Sequence, residues 1–112
     1  MTILYHVTPH ATWLNHIRHE GLTLRREKRG RFADSQDPRI YLFENEDTAT
    51  DGLENWLLDE YPKVRWFALL QVNVPEKWVH EDPEIAGSFY VEHSIPRAGV
   101  RLVRKIDGGE PE

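Results

Sequence analysis

The stretch from Val64 to Val74 (Val-Arg-Trp-Phe-Ala-Leu-Leu-Gln-Val-Asn-Val) constrains the fold more than any other segment. It is rich in β-branched and aromatic residues and nearly apolar through its middle, which predicts a strand in the interior of a sheet. Pro75 ends it. A chain of 112 residues then has room for one domain with a real core and little beyond it.

The first strand is set by Ile3 to Val7 and closed by Pro9. Alternate side chains of a strand share a face, so His6 and Thr8 point one way while Tyr5 and Val7 point the other. A core strand normally gives such a face to aliphatic residues. An imidazole and a hydroxyl there suit a cleft that grips a hydroxyl-bearing ligand; a satisfied core histidine beside an edge threonine is the plain structural alternative. Thr12 is a good N-cap for a helix with Leu14, Ile17 and Trp13 on its apolar stripe, ending at Gly21. Leu22 to Leu24 is short and extended. Residues 25–38 are polar, charged and aperiodic, which predicts a long loop.

Residues 39–43 predict a second strand, with Ile40 and Leu42 opposite in phase to Tyr41 and Phe43. Asn45 or Asp47 caps a second helix reaching about Asp59, with Ala49, Leu53, Trp56 and Leu57 at helical spacing. Further short strands are expected over Trp78–His80, Ser88–Glu92 and Val100–Ile106. Helices early and strands late predict an α+β fold with a mostly antiparallel sheet, one domain over residues 1–106 and a frayed acidic tail over 107–112.

Composition narrows the classes. No cysteine is present, which removes disulfides, thiolate chemistry and zinc–thiolate sites and fits a reducing cytoplasm. No apolar run is long enough for a membrane helix, and no secretory leader is expected. A formal net charge of −5 argues against a dedicated nucleic-acid coat, yet Arg25 to Arg31 holds five of the 14 basic residues. That cluster, with Arg25, Arg31 and neighbouring Arg39, suits a pyrophosphate or the steering of a nucleic-acid acceptor, or else a solvated loop. His16 and His19 share a helix face but lack a third ligand nearby, so no metal site is predicted. Glu81, Asp82 and Glu84 flank Pro83 and read as a turn. Of Trp13, Trp56, Trp66 and Trp78, at least three are expected in the core, leaving one that could stack on a base.

Leu4-Tyr5-His6-Val7-Thr8, a helix ending in His19-Glu20-Gly21-Leu22, Ile40-Tyr41-Leu42-Phe43, and Tyr90-Val91-Glu92-His93-Ser94-Ile95-Pro96 followed by Val100-Arg101-Leu102-Val103 occur in that order. Together they resemble the ADP-ribosyltransferase superfamily over about residues 3–104. The nearest likeness is its His-Tyr-Glu branch, among small bacterial and phage proteins close to the RNA 2′-phosphotransferases and the DNA-modifying toxins. The resemblance implies two small packed, mostly antiparallel sheets, with the two helices flanking an NAD cleft. It implies a mono-ADP-ribosyltransferase that consumes NAD as co-substrate, set in a toxin or phage–host conflict.

Carried over by position, the resemblance has His6 bonding the nicotinamide-side ribose, Thr8 the adenine-side ribose, Tyr41 stacking on nicotinamide, and Glu92 near the ribose 2′-hydroxyl. Glu81, Glu84 and His93 are alternative occupants of the last position. The acceptor is open among nucleic acid, protein, small molecule and water, and the basic loop tilts toward nucleic acid. Separated arginines of the phosphotransferase kind are not evident, which favours ADP-ribosyl transfer over that reaction. A catalytically inactive relative that binds NAD, ADP-ribose or a partner protein is the second reading, and an unrelated α+β interaction domain the third.

Overall fold

A computed structural model describes residues 1–23, 39–54, 58–83 and 86–109. Strand β1 (Thr2–Pro9) leads into a helical run, α1, of an α-turn (His10–Thr12), a π-helical stretch (Trp13–Ile17) and a second α-turn (Arg18–Glu20). Strand β2 (Ile40–Phe43), helix α2 (Glu46–Gly52) and helical turn α3 (Leu58–Glu60) follow. Then come β3 (Trp66–Val74), β4 (His80–Glu81), β5 (Ser88–Val91) and β6 (Val100–Asp107). The expected basic loop, with Arg25 and Arg31, lies outside the described residues, as do Trp56, Leu57 and Glu84.

All six strands form one antiparallel sheet in the order β4-β5-β2-β1-β3-β6. The two sheets implied by the resemblance are therefore one hydrogen-bonded sheet here. Its two halves are unequally joined. β1 and β3 pair along their whole length from Thr2↔Val74 to Pro9↔Phe67, whereas β1 and β2 meet at the register pair Tyr5↔Phe43. Beyond that point β1 and β2 part.

The sheet is covered on both faces, which explains the apolar run in β3. Leu4, Ile40, Leu42, Ala68, Leu70, Val72 and Val91 pack on one side with Ile17 of α1, Leu22 and Ile95. Val7, Phe43, Phe67 and Leu69 pack on the other with Ala49 of α2 and Leu53. A strand buried on both sides has no polar face to alternate with. Each fully buried Leu, Ile or Phe contributes roughly 1.5–3 kcal/mol by leaving water.

Local chemistry fixes most element ends. Asn45 caps α2: its Oδ1 accepts from the Thr48 N–H at 2.8 Å and the Thr48 hydroxyl at 3.0 Å. The first helix starts earlier than expected, with Pro9 in the cap position (φ −54°, ψ 138°) and Thr12 already inside. Proline's fixed φ suits the entry to a helix and has no N–H to leave unsatisfied. Gly21 ends this helix at φ +82°, and a Cβ there would collide with the Ile95 carbonyl. The close approach lets Leu22 and Ile95 exchange two backbone hydrogen bonds, of 2.9 and 2.8 Å.

Two further expectations are corrected. Glu76–Trp78 is a turn of 3₁₀ helix after Pro75, so the short strand is His80–Glu81, and Glu81 pairs with Phe89 instead of lying in a turn. Strand β6 runs one residue past its expected end at Ile106: Asp107 closes it in a two-pronged bond with Arg65, and the Gly108 N–H donates to the Arg65 carbonyl at 2.7 Å. Among the described residues no helix is long and apolar enough to cross a membrane.

Candidate functional site

His6 and Thr8 are both buried, at 6% and 4% exposure, on a strand whose neighbours in phase are core residues. The His6 Nδ1 lies 2.8 Å from the backbone carbonyl oxygen of Tyr41, across the point where β1 and β2 part. A carbonyl only accepts, so Nδ1 carries the hydrogen, and in a neutral imidazole Nε2 is then the acceptor nitrogen. The tautomer is thus set by the strand next door.

Tyr41 meets His6 through its backbone and not through its ring. Leu4 belongs to one face of the sheet, with Ile40 and Leu42, while Phe43 belongs to the other. Alternation puts His6 in phase with Leu4 and the Tyr41 ring in phase with Phe43. The two side chains expected to share a cleft therefore leave their strands on opposite sides of the sheet.

The Tyr41 ring instead joins a cluster that the sequence reading passed over. Tyr41 pairs with Tyr90 of β5, and Tyr90 pairs with His80 of β4, which brings all three to one face. The Tyr41 and Tyr90 centroids are 6.1 Å apart at a tilt of 47°, and His80 stacks on Tyr90 at 5.0 Å and 25°. The Arg39 guanidinium sits 4.2 Å from the Tyr90 centroid. A hydrogen bond with Tyr41 comes first among the causes that hold Arg39 above the ordinary arginine range, followed by its electrostatic interactions with Tyr90, Tyr41 and Glu92; desolvation opposes them. The Arg39 Nε is buried with no hydrogen-bond acceptor among the described residues.

Glu92 falls just past the end of β5 and joins the edge of this cluster. Its Oε1 is 3.7 Å from His80 Nε2, and its side chain is 46% exposed. The alternatives separate from it. Glu81 pairs with Phe89, whose side chain packs with the opposite core, and the His93 ring stacks on Trp78 at 4.4 Å. Glu84 lies outside the described residues. Of the carboxylates weighed from the sequence, Glu92 is thus the one grouped with Tyr41.

Two subsites emerge. One is a buried imidazole and hydroxyl, His6 and Thr8, at the parting of β1 and β2. The other is a half-exposed group of Arg39, Tyr41, Tyr90, His80 and Glu92 on β2, β5 and β4. The Tyr41 backbone is the joint between them. Tyr90 had one available signal, its position two residues before Glu92, where a strand repeats a face.

Compared with protein-family models, curated proteins and solved structures, the chain matches none.

Proposed function

We propose that this chain is an NAD-dependent mono-ADP-ribosyltransferase whose dinucleotide spans the junction between β1 and β2. The observation that carries the reading is the bond from His6 Nδ1 to the Tyr41 carbonyl. It orients a buried imidazole so that its acceptor nitrogen suits a ribose hydroxyl, and Thr8 adds a buried hydroxyl of its own on the same strand face. His6 needs no proton transfer for that role.

These residues fit a dinucleotide by their chemistry, from the two sides of the sheet that the Tyr41 backbone joins: hydroxyl partners in His6 and Thr8 on one side, ring surfaces in Tyr41 and Tyr90 and a cation in Arg39 on the other. NAD supplies an ADP-ribosyl group when its nicotinamide–ribose bond breaks, nicotinamide leaving with the bonding electron pair. Positive charge then develops on the sugar, as in glycoside hydrolysis. A fixed carboxylate facing that charge lowers the barrier, which is the role given to Glu92. The acceptor's nucleophile closes the bond and loses its proton. Water, a protein side chain and nucleic acid all meet that requirement.

The test is ligand-induced stabilisation. NAD at 100 times its dissociation constant adds about 2.7 kcal/mol to the folded state, on the order of 10 °C for a domain of this size. The rise is expected for the wild type and lost in His6→Ala, with unliganded melting recorded for both. No rise at millimolar NAD contradicts the proposal.

A second reading has one observation in its favour. Glu92 is half-exposed, past the end of its strand and turned to His80. A catalytically inactive NAD- or ADP-ribose-binding module leaves its carboxylate in such a place. It predicts the same melting shift, no nicotinamide release, and no effect of Glu92→Gln.

A further inference from the structure

Two single turns of 3₁₀ helix stand at the end of the sheet where β1 begins, Glu76–Trp78 after Pro75 and Arg97–Gly99 after Pro96. Each closes its own backbone: the Trp78 N–H donates to the Pro75 carbonyl at 3.0 Å and the Gly99 N–H to the Pro96 carbonyl at 2.9 Å. The proline rings fix φ at −60° and −64°, which stiffens both turns. Gly99 lets the second turn come against β3, since a Cβ there would lie 3.0 Å from the Asn73 carbonyl oxygen.

The two turns frame a recess of about 460 Å³, within the range of small-molecule sites. Pro75, Trp78, Pro96 and Ala98 give it apolar walls, Met1 brings a flexible thioether, and Asn73 adds an amide. The His93 ring stacks on one face of the Trp78 indole at 4.4 Å and 19°, which holds that wall in place. Like Trp13, Trp78 packs against the core; Trp66 is 41% exposed, with Lys105 Nζ 4.4 Å and the Arg65 guanidinium 5.1 Å from its ring centroid. Charge decides the sign of a ligand. The turns carry two exposed cations, Lys77 and Arg97, against one carboxylate, Glu76. Neither cation has a carboxylate within salt-bridge reach among the described residues.

We propose that this recess binds a small aromatic carboxylate, the ring against Trp78 and the two prolines and the carboxylate meeting Lys77 and Arg97. An aromatic ring gains from the indole what an alkyl chain does not. In a chain of net charge −5, two cations beside an apolar recess select an anionic group locally. The site is separate from the two subsites described above. Thr8 pairs with Ala68, whereas Asn73 lies near the other end of β3, opposite Ile3. The inference therefore does not rest on the dinucleotide reading.

The experiment titrates naphthoate, and its neutral counterpart naphthylmethanol, into the isotope-labelled full chain and follows the tryptophan indole N–H resonances by NMR. Trp78→Phe assigns the resonance, and melting temperatures show that each variant is folded. Expected is a saturable shift of the Trp78 signal by naphthoate, with a dissociation constant on the order of 1 mM for a ligand of that size. Ala98→Leu, which adds bulk to the recess at an exposed position, should abolish it. Joint Lys77→Gln and Arg97→Gln should weaken naphthoate about fivefold and leave the alcohol unchanged. Absence of a saturable shift overturns the proposal, as does equal naphthoate affinity in Ala98→Leu, or equal affinity of wild type for acid and alcohol. Displacement by decanoate at lower concentration makes the occupant an alkyl chain and overturns it too. So does a wild type that dimerises while Ala98→Leu stays monomeric, which gives the recess to a second copy. Displacement by NAD would merge the recess with the dinucleotide site and end its separate standing. If naphthoate binds as described and NAD gives no melting shift, the recess stands and the dinucleotide reading falls.

Discussion

The imidazole of His6 and the carbonyl of Tyr41 hold each other across the parting of two strands, at 2.8 Å. β1 and β2 join at Tyr5↔Phe43, and beyond it a side chain supplies the link between the two halves of the sheet. Structure and proposed chemistry thus share one group.

Removing that group should register in stability before any ligand is added. His6→Ala deletes the donor to the Tyr41 carbonyl and leaves a hole in a buried site, so a loss of about 1–3 kcal/mol is expected. His6→Gln, which retains a donor, should recover part of it. Urea unfolding of the three proteins reads the difference, and equal midpoints for His6→Ala and wild type would mean that the bond carries no weight.

Gly21→Ala should be among the most damaging single changes outside the core. Its φ of +82° is strained for any side chain, and the added methyl meets the Ile95 carbonyl and the Arg97 nitrogen. The Leu22–Ile95 bonds have to part to make room. A loss of at least about 1–3 kcal/mol is expected from the backbone conformation alone. A thermal melt within a degree of wild type would contradict that close approach.

The Arg65–Asp107 pair predicts a small pH dependence of known sign. Hydrogen bonding from Arg65, then from the Gly109 N–H, holds the Asp107 carboxyl below its ordinary 3.8, with Arg65 also acting through its charge. A depressed folded-state value stabilises the protein above the unfolded value, and that contribution disappears as pH falls through the folded one. Wild type should therefore lose more stability than Asp107→Asn as pH drops from about 5 through the carboxylate range. Both partners are exposed, so high salt should shrink the difference. Parallel pH profiles in low salt would exclude the contribution.

The strands were largely legible because alternation and proline punctuation are local. β1, β2 and β6 follow from residues within a few positions, and the apolar middle of β3 announces a strand covered on both sides. The cap of the second helix was legible for the same reason, as Asn45 or Asp47, and the structure uses Asn45. What escaped was non-local. The facing of the Tyr41 ring depends on its pairing with Tyr90, and that of Tyr90 on His80, 10 residues away in sequence. The link from His6 to a backbone carbonyl 35 residues on leaves no local pattern. Pro9 rather than Thr12 starts the first helix because the sheet ends there, a fact carried by the partner strand.

Nicotinamide release from NAD, followed by chromatography for wild type, His80→Ala and Glu92→Gln, with and without a single-stranded oligonucleotide, tests the central claim most directly. Release by the wild type is expected, cut about 10²–10³-fold in Glu92→Gln, the scale on which one electrostatic contact to a developing charge acts. His80→Ala, which frees the carboxylate from its neighbour, should release at least as fast as wild type. Release that is equal in wild type and Glu92→Gln would contradict the role given to Glu92, and release absent in every sample while NAD still raises the melting temperature would contradict a transferase and leave a nucleotide-binding module.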